Sequence, residues 1–410
     1  MTEHVQLPTV YDRTALAGKK ILIIVENLPV PFDRRVWQES LALVSAGAEV
    51  TVICPKGKGY EADHEIVEGV NVYRHALPAE GDSSAGYLRE YASALLHESR
   101  LAWRIYFNRG FDAIHGCNPP DLIFLVALPF KLLGKKFVFD HHDVNPELYE
   151  AKFNRRGFFW RLLVLCERLT FLSADIVIST NESYRRIAIE RGRKRPERVF
   201  VVRSGPDLRR VRLMPVDPSW KKGRRYLVGF VGVIGDQEGI DLLLASVEHI
   251  VRKGGRTDIQ FVLVGDGPSR KRMEALSLEM GLGDFVTFLG RAPDELLFSV
   301  LSSADVCVNP DRVNAMNTLS TMNKILEYMV MKKPIVQYEV VEGRVSAADA
   351  SVYARPNDPV DFAEKIIELL ADPARRERAG EIGRNRIENE LSWAHQIPNL
   401  IKAYTALFAR

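Results

Sequence analysis

The chain has 410 residues, enough for two hydrophobic cores, and its 46% apolar and 27% charged residues are those of an ordinary globular protein. A net charge of +3 is small for this length and excludes nucleic-acid binding as a global property, so any basic patch has to be argued locally. Cys54, Cys117, Cys166 and Cys307 lie far apart with no C-x-x-C pair, which excludes a disulfide framework or a zinc cluster and predicts thiols in a reducing cytoplasm.

Residues 1–18 are polar and lack an apolar core, so a loose arm is expected there and not a secretory signal. ILIIV (21–25) then reads as a central parallel strand. The loop ENLPVPFDRR that follows is stiffened by Pro29 and Pro31. A helix capped by Asp33 buries Val36, Trp37, Leu41 and Val44 and ends near Gly47. Arg34 and Arg35 fall in its first turn, where a cation opposes the helix dipole unless an anion is close. Arg35 is therefore a ligand candidate, with a solvated arginine as the plain alternative.

Strands at 49–54, 71–75, 113–117 and 137–140 alternate with helical stretches, including 87–106, as in a parallel sheet covered on both faces. Two strand ends carry polar clusters, His115-Gly116-Cys117-Asn118 and Asp140-His141-His142-Asp143. Consecutive residues cannot all reach one metal ion, so these predict the polar wall of a cleft. The longest apolar run, 122–133, contains Pro129 and Lys131 and is too short for the ~20 residues that span a bilayer.

Between 152 and 172, arginines alternate with aromatic residues. Leu162, Leu163, Cys166 and Leu169 are spaced to pack on the sheet. That leaves Arg155, Arg156, Phe158, Phe159 and Trp160 as an edge for an anionic membrane or a lipid-borne acceptor. Strands at 174–180 and 198–205 close this half, and 206–225, rich in Pro and Arg, reads as a linker.

The pattern restarts with strands at 226–232, 259–267 and 285–290. Gly265-Asp266-Gly267-Pro268 leads from a strand into a helix, so its amides can approach a ligand or simply form a tight turn. Arg291, after the next strand, is grouped with Gly265 and Gly267 on the ligand side. From 304 to 344 the chain reads as a strand closed by Pro310, an Asn-rich loop, a helix capped by Ser320 or Thr321, and a strand after Pro334. In such a unit Ser320, Thr321 and Asn323 sit at the helix start, where a phosphate binds, and Glu327 lies one turn on, able to hold a diol. Helical stretches from Pro359, Pro373 and Trp393 end the chain.

Asn323-Lys324-x-x-Glu327-Tyr328-Met329, followed by Lys333-Pro334-Ile335-Val336 and Glu342-Gly343-Arg344-Val345-Ser346, resembles the nucleotide-binding half of GT-B glycosyltransferases of family 4. In that family two glutamates stand eight residues apart. The second, matched by Glu327, holds the ribose hydroxyls, and the first falls here on Leu319. A family histidine facing the donor sugar matches His141 or His142. The family's two diphosphate-clamping cations fall on Val233 and Glu238, in the loop that contains Gly235. Lys324, Arg344, Arg35 and Arg203 are the candidates to replace them, with Lys324 and Arg35 placed on the leaving group.

The resemblance implies an α/β chain of two Rossmann-like domains facing a cleft. Residues 1–205 form the acceptor side, 206–392 bind the nucleotide sugar, and 393–410 form a helix returning to the first domain. It implies a retaining transferase that moves a sugar from a UDP- or GDP-sugar to a hydroxyl of a glycan or lipid-linked acceptor, in cell-surface polysaccharide or glycolipid synthesis. No metal or other cofactor and no nucleic acid are expected, and the location is the cytoplasm or the inner face of the membrane. Two rivals are a non-catalytic nucleotide-sugar sensor or scaffold and a sugar-nucleotide epimerase.

Overall fold

Nearly continuous apolar runs, too short and too β-branched for helices, become the strands of two parallel sheets. The computed structural model describes residues 11–76, 84–211 and 213–409, and leaves the side chains of 84–92 outside that description. The chain divides into two units, Met1–Ser204 with Ala394–Arg410, and Gly205–Trp393.

In the first unit the strands are β1 (Lys20–Ile24), β2 (Glu49–Pro55), β3 (His64–Val67), β4 (Val70–His75), β5 (Ala113–Cys117), β6 (Lys136–His141), β7 (Ile176–Ser179) and β8 (Val199–Val201). Their order is β3-β4-β2-β1-β5-β6-β7-β8. Pairing is parallel throughout except at β3, an antiparallel edge strand that the sequence pattern did not reveal. The helices are α1 (Arg34–Ser45), α2 (Ser84–Asn108), α3 (Phe124–Leu132), α4 (Asn145–Phe153), α5 (Phe158–Ser173) and α6 (Glu182–Glu190). Helices α2, α3, α5 and α6 share one core with Leu22, Ile24, Phe137 and Phe139 on a single face of the sheet.

The second unit has β9 (Tyr226–Val231), β10 (Ile259–Val264), β11 (Val286–Gly290), β12 (Val306–Asn309), β13 (Ile335–Tyr338) and β14 (Ser351–Ala354), all parallel, in the order β11-β10-β9-β12-β13-β14. Its helices are α7 (Ile240–Glu248), α8 (Arg270–Glu279), α9 (Asp294–Ser303), α10 (Asn323–Val330), α11 (Val341–Ala347), α12 (Pro359–Ala371) and α13 (Pro373–Arg386). The last helix, α14 (Trp393–Phe408), packs in the first unit, where the Tyr404 hydroxyl lies 2.7 Å from His115 Nδ1.

Several expectations are corrected. The loose arm at 1–18 is ordered from Tyr11 onward, because Leu16 is buried and its amide donates to Ala46 O; residues 1–10 lie outside the described residues. The linker at 206–225 packs on its own unit. Met214 N and Asp217 N donate to the Ser302 and Ser303 hydroxyls, and Trp220 joins the core beside α9.

In the stretch 152–172, Asn154 at φ +49 ends α4 and α5 begins after Gly157. More importantly, α5 is turned over relative to the expectation. Leu162 and Leu169 are exposed, Leu163 and Cys166 are half-buried, and the fully buried side is Glu167, Thr170 and Phe171. Glu167 tolerates burial because Arg191 clamps it with two hydrogen bonds of 2.5 and 2.6 Å and also holds Glu147. Periodicity identifies an apolar stripe but not the side on which the core lies.

Gly265 and Gly267 let neighbouring loops pack closely. A Cβ on Gly265, which has φ +149, would stand 1.7 Å from Gly232 O, and one on Gly267 would stand 2.6 Å from Ile234 O. Their amides are also taken, by Gly290 O and the Asp266 carboxylate. Gly265→Ala is expected to cost about 2 kcal/mol or more, read as a lower urea midpoint, because both the backbone angle and the Gly232 contact oppose a side chain.

Candidate active site

In the first unit the site is built around one carboxylate. Asp33 accepts a hydrogen bond from Val36 N and starts α1, which places Arg35 inward at 9% exposure. Its guanidinium donates to Asp140 from Nη2 (2.9 Å) and Nε (3.2 Å), and Nη1 donates to Val202 O (2.9 Å) and Ser204 Oγ (3.3 Å). Asp140 Oδ2 also meets His142 Nε2 at 2.5 Å and His115 Nε2 at 3.3 Å. Glu39, one turn after Arg35, lies 3.0 Å from Arg35 Nη2 but is not aligned for a hydrogen bond.

Burial by itself would raise the Asp140 carboxyl, but Arg35 and His142 more than reverse this and hold it well below the usual carboxylate range. Glu39 goes the other way. Burial raises it well above its usual value, and the Asp140 charge adds to this, against the pull of Arg35. The two carboxyls around this single guanidinium are thus pushed in opposite directions, Asp140 toward the ionised form and Glu39 toward the protonated one.

Strand alternation separates the two histidines. His142 follows Asp140 on one face and is only partly covered, at 15% side-chain exposure. Its backbone is fixed by Asn118, whose Oδ1 accepts from His142 N and Asp143 N. His141 points into the opposite core, among Phe139, Phe171 and Tyr184, with no hydrogen-bond partner on either ring nitrogen. It is thus excluded as the exposed histidine. Arg35 is likewise not available as a phosphate clamp, because its donors are spent on Asp140, Val202 and Ser204. Arg203 donates its amide to Gln396 Oε1 within the same unit.

Glu39, Asp140 and His142, and also His115, Cys117 and Asp140, lie close enough to share a metal ion. The Arg35 guanidinium already neutralises Asp140, so a divalent ion would have to displace it.

In the second unit the Asn-rich loop after β12 is structural. Asn314 Oδ1 accepts from Met316 N and Asn317 N, and both asparagine amides bond to Gln237. Ser320 and Thr321 are not N-caps. The Ser320 hydroxyl donates to Met316 O, and α10 begins at Asn323 after Met322 with no side chain capping it. An anion at that uncapped start would meet first-turn amides and the positive end of the helix. Asn323 is exposed and Glu327 half-buried one turn on. Tyr328 fixes the helix. Its hydroxyl accepts from Val231 N (2.9 Å) and donates to Val308 O (3.1 Å), tying α10 to the carboxyl ends of β9 and β12.

Lys324 pairs with neither solvent nor Glu327. Its Nζ lies 2.6 Å from Asp311 Oδ1 and 5.0 Å from the Phe230 ring centre, beside Gly232, where a Cβ would crowd it at 3.0 Å. Gly235 is also occupied, because its amide donates to Glu238 Oε2 at 3.1 Å. Burial raises the Glu238 carboxyl, partly offset by Lys324. Val233 is exposed. Arg344, on α11, bonds to Glu339 and covers Tyr353 at 4.2 Å, while Arg291 is exposed after β11. Phe158 and Phe159 are exposed, and Trp160 is half-covered by Arg156, which pairs with Glu150; Arg155 donates to the Tyr149 hydroxyl.

The sequence pattern offers His115 and Asn118 as part of a polar strand end, and gives no role to Glu39, Tyr404, Asp311 or Gln237. Only Glu39 had a local signal, a carboxylate four residues after an inward arginine.

The burial of His141 sets a pH dependence. Burial, then the Arg191 charge, depresses it to about 3, whereas an unfolded histidine takes a proton below about pH 6.5. Its stabilising contribution is present above that unfolded value and is lost as pH falls through the folded one. His141→Phe is expected to flatten the decline in urea midpoint between about pH 7 and pH 4 relative to wild type.

The model of Glycosyltransferase Family 4 matches residues 33–210, and that of Glycosyl transferases group 1 matches residues 225–372. An alpha-D-kanosaminyltransferase of Streptomyces kanamyceticus is 31% identical over 159 residues, covering 38% of this chain and 39% of that protein. A D-inositol 3-phosphate glycosyltransferase of Nocardia farcinica is 26% identical over 257 residues, covering 58% and 54%. The chain thus spans between about a third and somewhat over half of the curated relatives' length. Among solved structures, a sucrose-phosphate synthase from Thermosynechococcus elongatus aligns with TM-score 0.79 at 20% identity, over 95% of this chain and 99% of that one. Anabaena HepE in complex with UDP-glucose aligns with TM-score 0.70 at 15% identity, over 94% and 99%. With a glycosyltransferase model on each unit and both sheets in the matching architecture, the chain belongs to the GT-B glycosyltransferases of family 4.

Proposed function

We propose that this protein transfers a sugar from a nucleoside-diphosphate sugar to a hydroxyl group, with retention at the anomeric carbon. The observation that carries this reading is Glu327, held one turn into an uncapped helix at the carboxyl end of β12 by the Tyr328 anchor. A carboxylate there suits a ribose diol, and the helix start suits the diphosphate. In the reaction the bond from the anomeric carbon to the diphosphate breaks with its electrons on the leaving oxygen. The acceptor oxygen bonds to the same face, and its proton passes to that leaving oxygen. The barrier falls by placing the two oxygens and by stabilising the diphosphate. His142, whose Nε2 is held by Asp140 and Arg35, is the histidine that the family resemblance assigns to the donor sugar.

The acceptor is a glycan or lipid-linked alcohol, and the donor a UDP- or GDP-sugar. No resident metal takes part, so chelation leaves turnover unchanged. One observation favours a second reading, binding of a nucleotide sugar without transfer: Glu238 places a carboxylate on the Gly235 amide where a clamping cation would serve. Transfer or hydrolysis of a donor by the purified protein separates the two.

A thermal-shift panel of UDP- and GDP-sugars identifies the donor, and Glu327→Gln is then expected to weaken it about tenfold in calorimetry with an unchanged melting temperature. Equal affinity of wild type and variant removes Glu327 from the site. Lys324→Ala strips Asp311 of its partner and is expected to cost about 3 kcal/mol or more of stability. Lys324→Ala with Asp311→Asn should fold normally. A fall in turnover exceeding the fall in donor affinity in that double variant assigns Lys324 to the leaving group.

A further inference from the structure

We propose that the outer face of α2, α3 and α5 is a docking surface for an anionic lipid bilayer. It goes beyond glycosyl transfer and does not depend on it.

The first observation is the outward stripe on α5. Phe158, Leu162, Leu165, Leu169 and Leu172 follow one another at intervals of four, three, four and three residues, the period of one helix face, and all are exposed. Phe158 is 75% exposed and Leu172 64%. On α3, Leu125, Leu128 and Leu132 repeat the pattern, with Leu132 at 84%. Helix α3 packs against both α2 and α5, and Trp103 of α2 meets Phe130 of α3 at 4.5 Å, so the three helices are neighbours. Leu96 and Phe107 are exposed on α2. Apolar side chains on three adjacent helices exceed the scattered exposure of an ordinary surface.

The second observation is charge. Residues 96–109, 121–136 and 155–173 contain ten Lys and Arg, three in each of the first two segments and four in the third. Their only acids are Glu98, Asp121 and Glu167, and all three are buried. Acids from outside pair with two of the cations, Asp175 with Lys131 and Glu150 with Arg156. No acidic side chain of these segments is exposed.

At the end of α5 the stripe meets a cleft of about 330 Å³ lined by Leu172, Lys136, Arg193, Lys194, Arg195 and Arg198, with Asp175 as its one acidic side chain. Leucines edged by cations, with a basic cleft at the rim, match acyl chains beneath a layer of phosphate headgroups.

A second copy of the chain fits less well. A two-fold contact sets a face against itself, so the cations of one copy would meet those of the other. No helix among the described residues is long and apolar enough to cross a membrane, and the proposal sets these three helices in the plane of the interface.

The test is sedimentation of the full chain with vesicles of phosphatidylcholine, alone or mixed equally with phosphatidylglycerol, with no nucleotide sugar present. The expected result is binding to the mixed vesicles only, lost at high salt. Leu165→Gln with Leu169→Gln, and separately Lys135→Glu with Arg161→Glu, should each weaken binding about tenfold or more while melting as wild type does. Leu165, Leu169 and Arg161 are exposed and Lys135 is partly so, over the Tyr106 ring, so the fold is expected to survive their exchange. Absence of binding, equal binding to both vesicles, or variants that bind as wild type overturns the proposal. So does a dimer in sedimentation velocity that the leucine changes dissociate, since a second copy would then be the occupant. Calorimetry with the nucleotide sugar on the same preparation reads the transferase proposal separately, and neither result decides the other.

Discussion

A single buried carboxylate, Asp140, holds together the polar end of the first unit. It receives Arg35 from α1, His115 from β5 and His142 beyond β6, while Arg35 continues to Val202 and Ser204 after β8 and His115 to Tyr404 of α14. Elements far apart in the chain therefore converge on one charge. Removing one partner from such a cluster leaves an uncompensated buried charge, at a cost of about 3 to 5 kcal/mol, so every member constrains the others. The upward push on Glu39 is part of that balance, because burial and the Asp140 charge both disfavour a second ionised carboxylate around one guanidinium.

The same pairing of a cation with a buried carboxylate recurs in the second unit with Lys324 and Asp311, again beside the carboxyl ends of the strands. Here the rest of the loop is held by neutral groups, with Gln237 joining the 232–239 segment to the Asn-rich loop and Tyr328 joining α10 to two strands. The glycines of this region make room for neighbouring backbone and for Lys324. These contacts frame the start of α10, the phosphate site of the proposed reaction. Preorganised amides and a helix start can carry part of the electrostatic work that side-chain cations carry elsewhere.

The two faces of the first sheet have separate tasks. Strand β6 sends Asp140 to the polar face and His141 to the aromatic core one residue later. Over that core lie α2, α3 and α5, whose outer surface is the apolar and basic face. Helix α5 can turn its leucines outward because Arg191 satisfies Glu167 and the Thr170 hydroxyl donates to Asp121 O on the buried side.

The sequence alone determined the βα alternation, the restart near Tyr226, the cap at Asp33 and the placement of Glu327 one turn into a helix, because these depend on periodicity and spacing along a few residues. The family resemblance offered His141 or His142, and that His142 is the partly exposed one of the two depends on which face of β6 is core. Tertiary structure decided the rest. Arg35 and Lys324 looked like unpaired cations at helix starts because their partners, Asp140 and Asp311, are brought to them by folding, 105 and 13 residues away. Ser320 looked like a cap because hydroxyl chemistry is local, while its hydroxyl in fact donates to the preceding turn at Met316 O. The orientation of α5 was beyond reach for the same reason. An apolar stripe has equal periodicity whether it meets a core or a bilayer, and only the contacts of Glu167 with Arg191 show which side of the helix faces in.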